Sequence, residues 1–160
     1  MKLLALLLLL ASLPLQVEAA DKPDVKKTHL TSIQGINEAI EAKLNAAGIN
    51  NVNDLLAEGA TRQGREESAA RSGLSAAQML KFVHYADLFR VRGIGGQTAA
   101  MLESAGVNTV AELAQSNASS LQAKLQQATA GKKATRNVPT EQQVADWIAE
   151  AKTLPKMVTY

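Results

Sequence analysis

The chain contains no cysteine. That excludes a disulfide framework, thiolate chemistry and the lipid-modified cysteine of an exported lipoprotein. Aromatic residues are nearly as scarce: Phe82, Tyr85, Phe89, Trp147 and Tyr160 are the whole complement. Strands are built from β-branched and aromatic side chains, so a sequence rich in Ala and Leu instead points to closely packed helices. Histidine is limited to His29 and His84, and no His/Cys/Asp/Glu set has the spacing of a metal site. Ser72, Ser75, Ser104, Ser116, Ser119 and Ser120 sit in cap or loop contexts with no base placed beside them. A non-enzymatic protein without cofactor or small-molecule substrate is expected.

There is one long hydrophobic run, and it lies at the start. Lys2 precedes the leucine-rich stretch Leu3 to Leu15, and Val17-Glu18-Ala19 follows with modest side chains at the positions a signal peptidase reads. The run is too short to span a bilayer comfortably, so residues 1–19 are expected to be a signal peptide. The mature chain would then be exported, periplasmic or secreted, with no transmembrane anchor. Residues 20–29 are polar, include Pro23 and are expected to form a flexible leader.

A surplus of charge of one sign is also missing. The net charge is only +2, so the protein is no polycation. Its distribution is uneven, however. Residues 21–87 carry eight Lys/Arg against nine Asp/Glu, residues 88–139 six against two, and residues 140–160 two against three.

The basic middle section surrounds Arg90-Val91-Arg92-Gly93-Ile94-Gly95-Gly96-Gln97-Thr98. This stretch reads as a tight glycine hairpin feeding a helix that is stopped by Gly106. Unpaired N–H groups at such a helix start, flanked by Arg90 and Arg92, are suited to holding a phosphate. The plainer alternative is that the glycines only let helices cross closely.

The same stretch has an earlier counterpart. At an offset of 58, Leu30/Leu88, Gly35/Gly93, Ile36/Ile94, Ala42/Ala100, Leu44/Leu102, Ala47/Ala105, Gly48/Gly106, Asn50/Asn108, Val52/Val110 and Leu55/Leu113 are identical pairs. These define an internal repeat. Each copy has an apolar lead-in, a glycine hairpin, a helix, a Gly stop (Gly48, Gly106) and a second helix capped at Asn51-x-x-Asp54 or Thr109-x-x-Glu112. Further on, Ser75-x-x-Gln78 and Thr140-x-x-Gln143 are capping boxes. Met79/Val144, Phe82/Trp147, Val83/Ile148 and Ala86/Ala151 then align at the spacing of a buried helix face. Phe82 and Trp147 are therefore expected in the core. The offset has grown by seven residues by then, an insertion assigned to the basic loop Gly131 to Pro139. The expected fold is all-α: two repeats of four helices each, residues 30–87 and 88–155, packed as one pseudo-symmetric body, with 156–160 as a tail.

Ile33-x-Gly35-Ile36-Asn37 and Val91-x-Gly93-Ile94-Gly95, each followed by Ala-x-Leu, resemble two helix-hairpin-helix motifs. The span Leu30 to Leu154 is similar to a bacterial family of tandem helix-hairpin-helix pairs, the domain of unknown function 4332. The resemblance implies hairpin amides that bind a DNA phosphate without reading sequence, as in many relatives of the motif. The binding positions would be Gly93, Ile94 and Gly95, with Arg90, Arg92, Lys132, Lys133 and Arg136 as electrostatic helpers. The first copy departs from the pattern. Asn37 replaces the second glycine, Gln34 replaces the arginine, and Glu38 and Glu41 bring negative charge, so only the second hairpin is expected to hold an anion. Some glycosylases with this motif place a catalytic Asp after it, but the first Asp after Gly95 is Asp146 in the last helix. The leading expectation is weak, sequence-independent binding of the backbone of DNA or another polyanion at hairpin two; the alternative is a structural adaptor that contacts an envelope protein.

Overall fold

The computed structural model describes residues 28–130 and 138–160. Residues 1–19, expected as a signal peptide, nearly all of the expected leader, and Lys132, Lys133 and Arg136 lie outside them. The described residues form eight α-helices and no strand. After a single 3-10 turn at Leu30–Ser32 come α1 (Glu38–Ala46), α2 (Val52–Gly59), α3 (Arg62–Ser72) and α4 (Ala76–Leu88). Then follow α5 (Gly96–Ser104), α6 (Val110–Ala114), α7 (Ala118–Thr129) and α8 (Glu141–Ala151).

Local chemistry sets the ends of these helices. Asn37, Asn51, Thr61, Ser75, Thr109, Asn117 and Thr140 each accept a hydrogen bond from an amide in the first turn of the helix they open. Ser75/Gln78 and Thr140/Gln143 close both bonds of a capping box. The acidic caps differ from the expected box by one residue. Asp54 accepts from the Asn50 amide at 3.1 Å and Glu112 from the Asn108 amide at 2.7 Å, so each carboxylate reaches past its own N-cap. At the other end of α1 and α5, Ile49 and Val107 donate to Leu44 and Leu102 at 3.0 and 2.9 Å, across glycines at φ +87° and +84°. The helix carbonyls left free there are satisfied by that wrap.

One contiguous core runs through the molecule, from Leu30 and Ile33 to Ile148 and Val158. In the first half α2 and α3 pack on α4, and α1 packs on α3. In the second half α6 and α7 pack on α8, and α5 packs on α7. The α4–α5 junction joins the halves and is locked by Asp87. This carboxylate, 2 % exposed, meets the Arg90 guanidinium at 2.7 Å and accepts from the Val110 amide at 2.8 Å. It thereby satisfies the first amide of α6 with a side chain from α4.

Thr28 and Tyr160 mark two further ties. The Thr28 carbonyl, assigned to the leader, accepts from the Val52 amide at 3.2 Å. Residues 156–160, expected as a tail, return to the first half. Val158 is buried there, and Thr159 donates its amide to Ala60 at 2.9 Å.

Candidate binding face at the second hairpin

The two hairpins share their backbone geometry. Ile36 donates to the Ile33 carbonyl at 3.1 Å, and Ile94 donates to Val91 at 3.2 Å. Gly35 and Gly93 sit between these partners at φ +99° and +83°, where an L-side chain costs about 1–2 kcal/mol. Each glycine also has an aromatic ring beside it. A Cβ on Gly35 would stand 3.5 Å from Phe82 Cε1, and one on Gly93 would stand 3.3 Å from Trp147 Nε1. Phe82 and Trp147 are both buried, as the helical stripe implied, and the repeat brings each beneath its own hairpin.

The other glycines have separate reasons. Gly95 has φ −109° and open space where a Cβ would be, so neither backbone nor packing demands glycine there. Gly96 is packed so closely on the Ser32 carbonyl that a Cβ would overlap it. The start of α5 thus lies against the lead-in to the first hairpin; close crossing accounts for Gly96, and the positive φ beside Trp147 for Gly93, without any ligand.

The residues expected to hold an anion are only partly assembled. Arg90 does not face the hairpin mouth. Its guanidinium, 11 % exposed, is spent on Asp87 and on the Pro155 carbonyl at 2.9 Å. Arg92 is exposed, and its Nε lies 3.4 Å from Glu150 Oε1. Its backbone amide also points at Glu150, at 3.3 Å from Oε2. A carboxylate of the protein therefore occupies the flank where an incoming phosphate would meet Arg92. The Ile94 amide is consumed by the turn, whereas the amides of Gly93 and Gly95 meet no acceptor among the described residues. Among the eight helices, α5 alone has no side-chain cap. Lys132, Lys133 and Arg136 are outside the described residues and contribute no geometry.

Beside Arg92 runs an open groove of about 630 Å³, lined by Gln143, Asp146, Trp147, Glu150 and Thr153. It offers two carboxylates and one guanidinium over a buried indole. Gln142 donates to Asp146 at 2.9 Å and holds that carboxylate on the helix surface. Glu150 and Asp87 were not anticipated as partners of the two arginines. Glu150 follows Trp147 by three residues, so helical spacing alone puts it on the flank of the side chain beneath Gly93. Asp87 stands three residues before Arg90, a spacing that also brings the two side chains within reach.

No curated protein and no solved structure matches this chain. The family described as domain of unknown function DUF4332 matches residues 34–154, a span that takes in both hairpins and all eight helices. The chain therefore belongs to the DUF4332 family.

Proposed function

We propose that this protein is an exported, non-enzymatic binding module of the helix-hairpin-helix type, and that it works as a structural adaptor in the cell envelope. Its two hairpin units, with equivalent turns, aromatic supports and helix contacts, act as one pseudo-symmetric body. The occupied mouth of the second hairpin carries the adaptor assignment. Glu150 neutralises Arg92 and repels a phosphate, while the adjoining groove mixes acceptors, a guanidinium and an aromatic floor in the manner of a protein interface. The export expected from residues 1–19 supports a partner in the envelope. No helix among the described residues is long and apolar enough to cross a membrane.

A second reading is weak, sequence-independent binding of a nucleic-acid backbone or another polyanion at hairpin two. The uncapped start of α5, with amides at Gly93 and Gly95 that meet no acceptor among the described residues, favours it. Three or four phosphate contacts would give a salt slope of about −3 to −4. Cross-linking and pull-down from envelope extract, beside anisotropy titrations with double- and single-stranded DNA at two salt concentrations, separate the two. The adaptor reading expects a specific envelope protein whose capture is lost in Glu150→Lys, with no saturable DNA binding at low salt. DNA binding that is lost in Arg92→Ala and Gly93→Val and strengthened by Glu150→Gln would reverse the order. Capture of the same protein by both wild type and Glu150→Lys would remove the groove from the adaptor reading.

A further inference from the structure

The contact that ties Val158–Tyr160 to the first half has the form of a peptide complex. Thr159 pairs with Ala60 through its amide at 2.9 Å, with its hydroxyl on the same carbonyl at 3.4 Å. Its own carbonyl accepts from Arg65 Nη2 at 2.8 Å. Val158 is 2 % exposed and Tyr160 is 69 % exposed. The Tyr160 hydroxyl lies 3.0 Å from His84 Nε2, and its ring lies 5.7 Å from the Arg65 guanidinium. One apolar anchor, a main-chain pair, the Arg65 guanidinium on the Thr159 carbonyl and an amphipathic ring at the rim form the attachment.

Arg65 is the unusual member. The residue is only 6 % exposed, yet no carboxylate lies within ion-pair distance among the described residues. Its Nη1 is satisfied by the Gly59 and Ala60 carbonyls at 3.0 and 3.2 Å. Nη2, however, is directed at the strap. A buried cation requires acceptors on its donors, and with the strap in place the Thr159 carbonyl is the one that meets Nη2. The corner that offers Arg65 is rigid. Gly59 is packed on Val83 so tightly that a Cβ would overlap its Cγ2, and Thr61 caps α3 immediately after it.

We propose that the α2–α3 corner, together with the adjoining face of α4, is a docking slot for an extended peptide segment, which the chain itself fills with Val158–Tyr160. The partner that fits is a protein carrying an apolar residue, a hydroxyl residue and an aromatic residue in succession. The apolar side chain takes the Val158 pocket, the central residue pairs with Ala60 and Arg65, and the ring lies over Arg65 beside His84. Recognition is mainly through the main chain, as in strand addition to an exposed edge. Bound in cis, the chain's own segment excludes the partner until it is outcompeted. The slot is independent of the hairpin groove, and its failure leaves the adaptor reading standing.

The probe is the labelled peptide Pro-Lys-Met-Val-Thr-Tyr, titrated by anisotropy against the full-length chain and against full-length Val158→Asp, whose own segment cannot dock. A tethered segment competes at an effective concentration on the order of millimolar, so a peptide with a Kd near 0.1 mM is expected to bind Val158→Asp about tenfold more tightly than wild type. Adding Arg65→Ala to Val158→Asp should abolish binding, as should Val→Asp within the peptide. A folded Val158→Asp protein with no saturable binding at millimolar peptide overturns the proposal, as does binding indifferent to Arg65. Should Val158→Asp fail to fold, amide exchange on wild type decides. Thr159 is expected to exchange through local opening, far faster than the core amide of Leu102, and exchange of both only by global unfolding refutes an openable slot.

Discussion

Replacing Asp87 by Ala is the most demanding test of how the halves are joined. The substitution removes the partner of a guanidinium that is 11 % exposed and strips the Val110 amide of its acceptor. Arg90 keeps only the Pro155 carbonyl. Breaking one side of a buried ion pair costs about 3–5 kcal/mol, because the remaining charge stays out of water without compensation. For a folded body of this size, 1 kcal/mol corresponds to about 3–4 °C in melting temperature. A fall of roughly 9–20 °C is therefore expected by thermal unfolding followed at 222 nm. The pair as a whole is worth far less than either half of it. Asp87→Ala combined with Arg90→Met removes both charges, and about half or more of the lost stability is expected to return. Helix α6 has only five residues, so its amides should lose exchange protection first. A loss below about 1 kcal/mol in Asp87→Ala, or no recovery in the double variant, would falsify the assignment of Asp87 as the lock.

The remaining predictions address other parts of the fold. Gly93→Ala and Gly35→Ala place an L-side chain at positive φ against Trp147 and Phe82, and each is expected to cost about 1–2 kcal/mol in denaturant unfolding. A stabilising alanine at either position refutes that geometry. Burial pushes the His84 imidazole below its ordinary value, and Arg65 pushes the same way, while Glu112, Asp87 and Glu103 pull it up. A folded value below the unfolded one means the neutral form is preferred in the fold. Its contribution is then complete above about pH 6.5 and is lost as pH falls through and below that value. Melting temperatures measured from pH 7.5 to 5.5 should thus decline more in wild type than in His84→Gln, and parallel profiles refute the effect. Thr140→Ala removes a capping box and is expected to cost about 1 kcal/mol, read as a shift in urea midpoint without a change in m.

Much of this molecule was legible without coordinates because its punctuation is local. A Ser or Thr at an N-cap and a Gln three residues on satisfy each other within one turn, as at Ser75/Gln78 and Thr140/Gln143. Glycine at a C′ position ends α1 and α5 whatever surrounds them. The apolar stripe that put Phe82 and Trp147 inside depends only on helical period. The site was less legible. Two arginines beside a glycine hairpin suggest a free cationic mouth, yet one is held by a neighbour three residues back and the other by a carboxylate fifty-eight residues on.

The order of the eight helices, their caps and stops, and the doubling of the hairpin unit were determined by the sequence itself. Interactions within about four residues and a repeated hydrophobic period suffice for that. Tertiary structure alone decided where Arg92 and Arg65 spend their charge, why Gly96 needs no side chain, and that Val158–Tyr160 is bound to the far half. A long flexible cation pairs with whichever acceptor folding brings within reach, and no spacing along the chain records that distance.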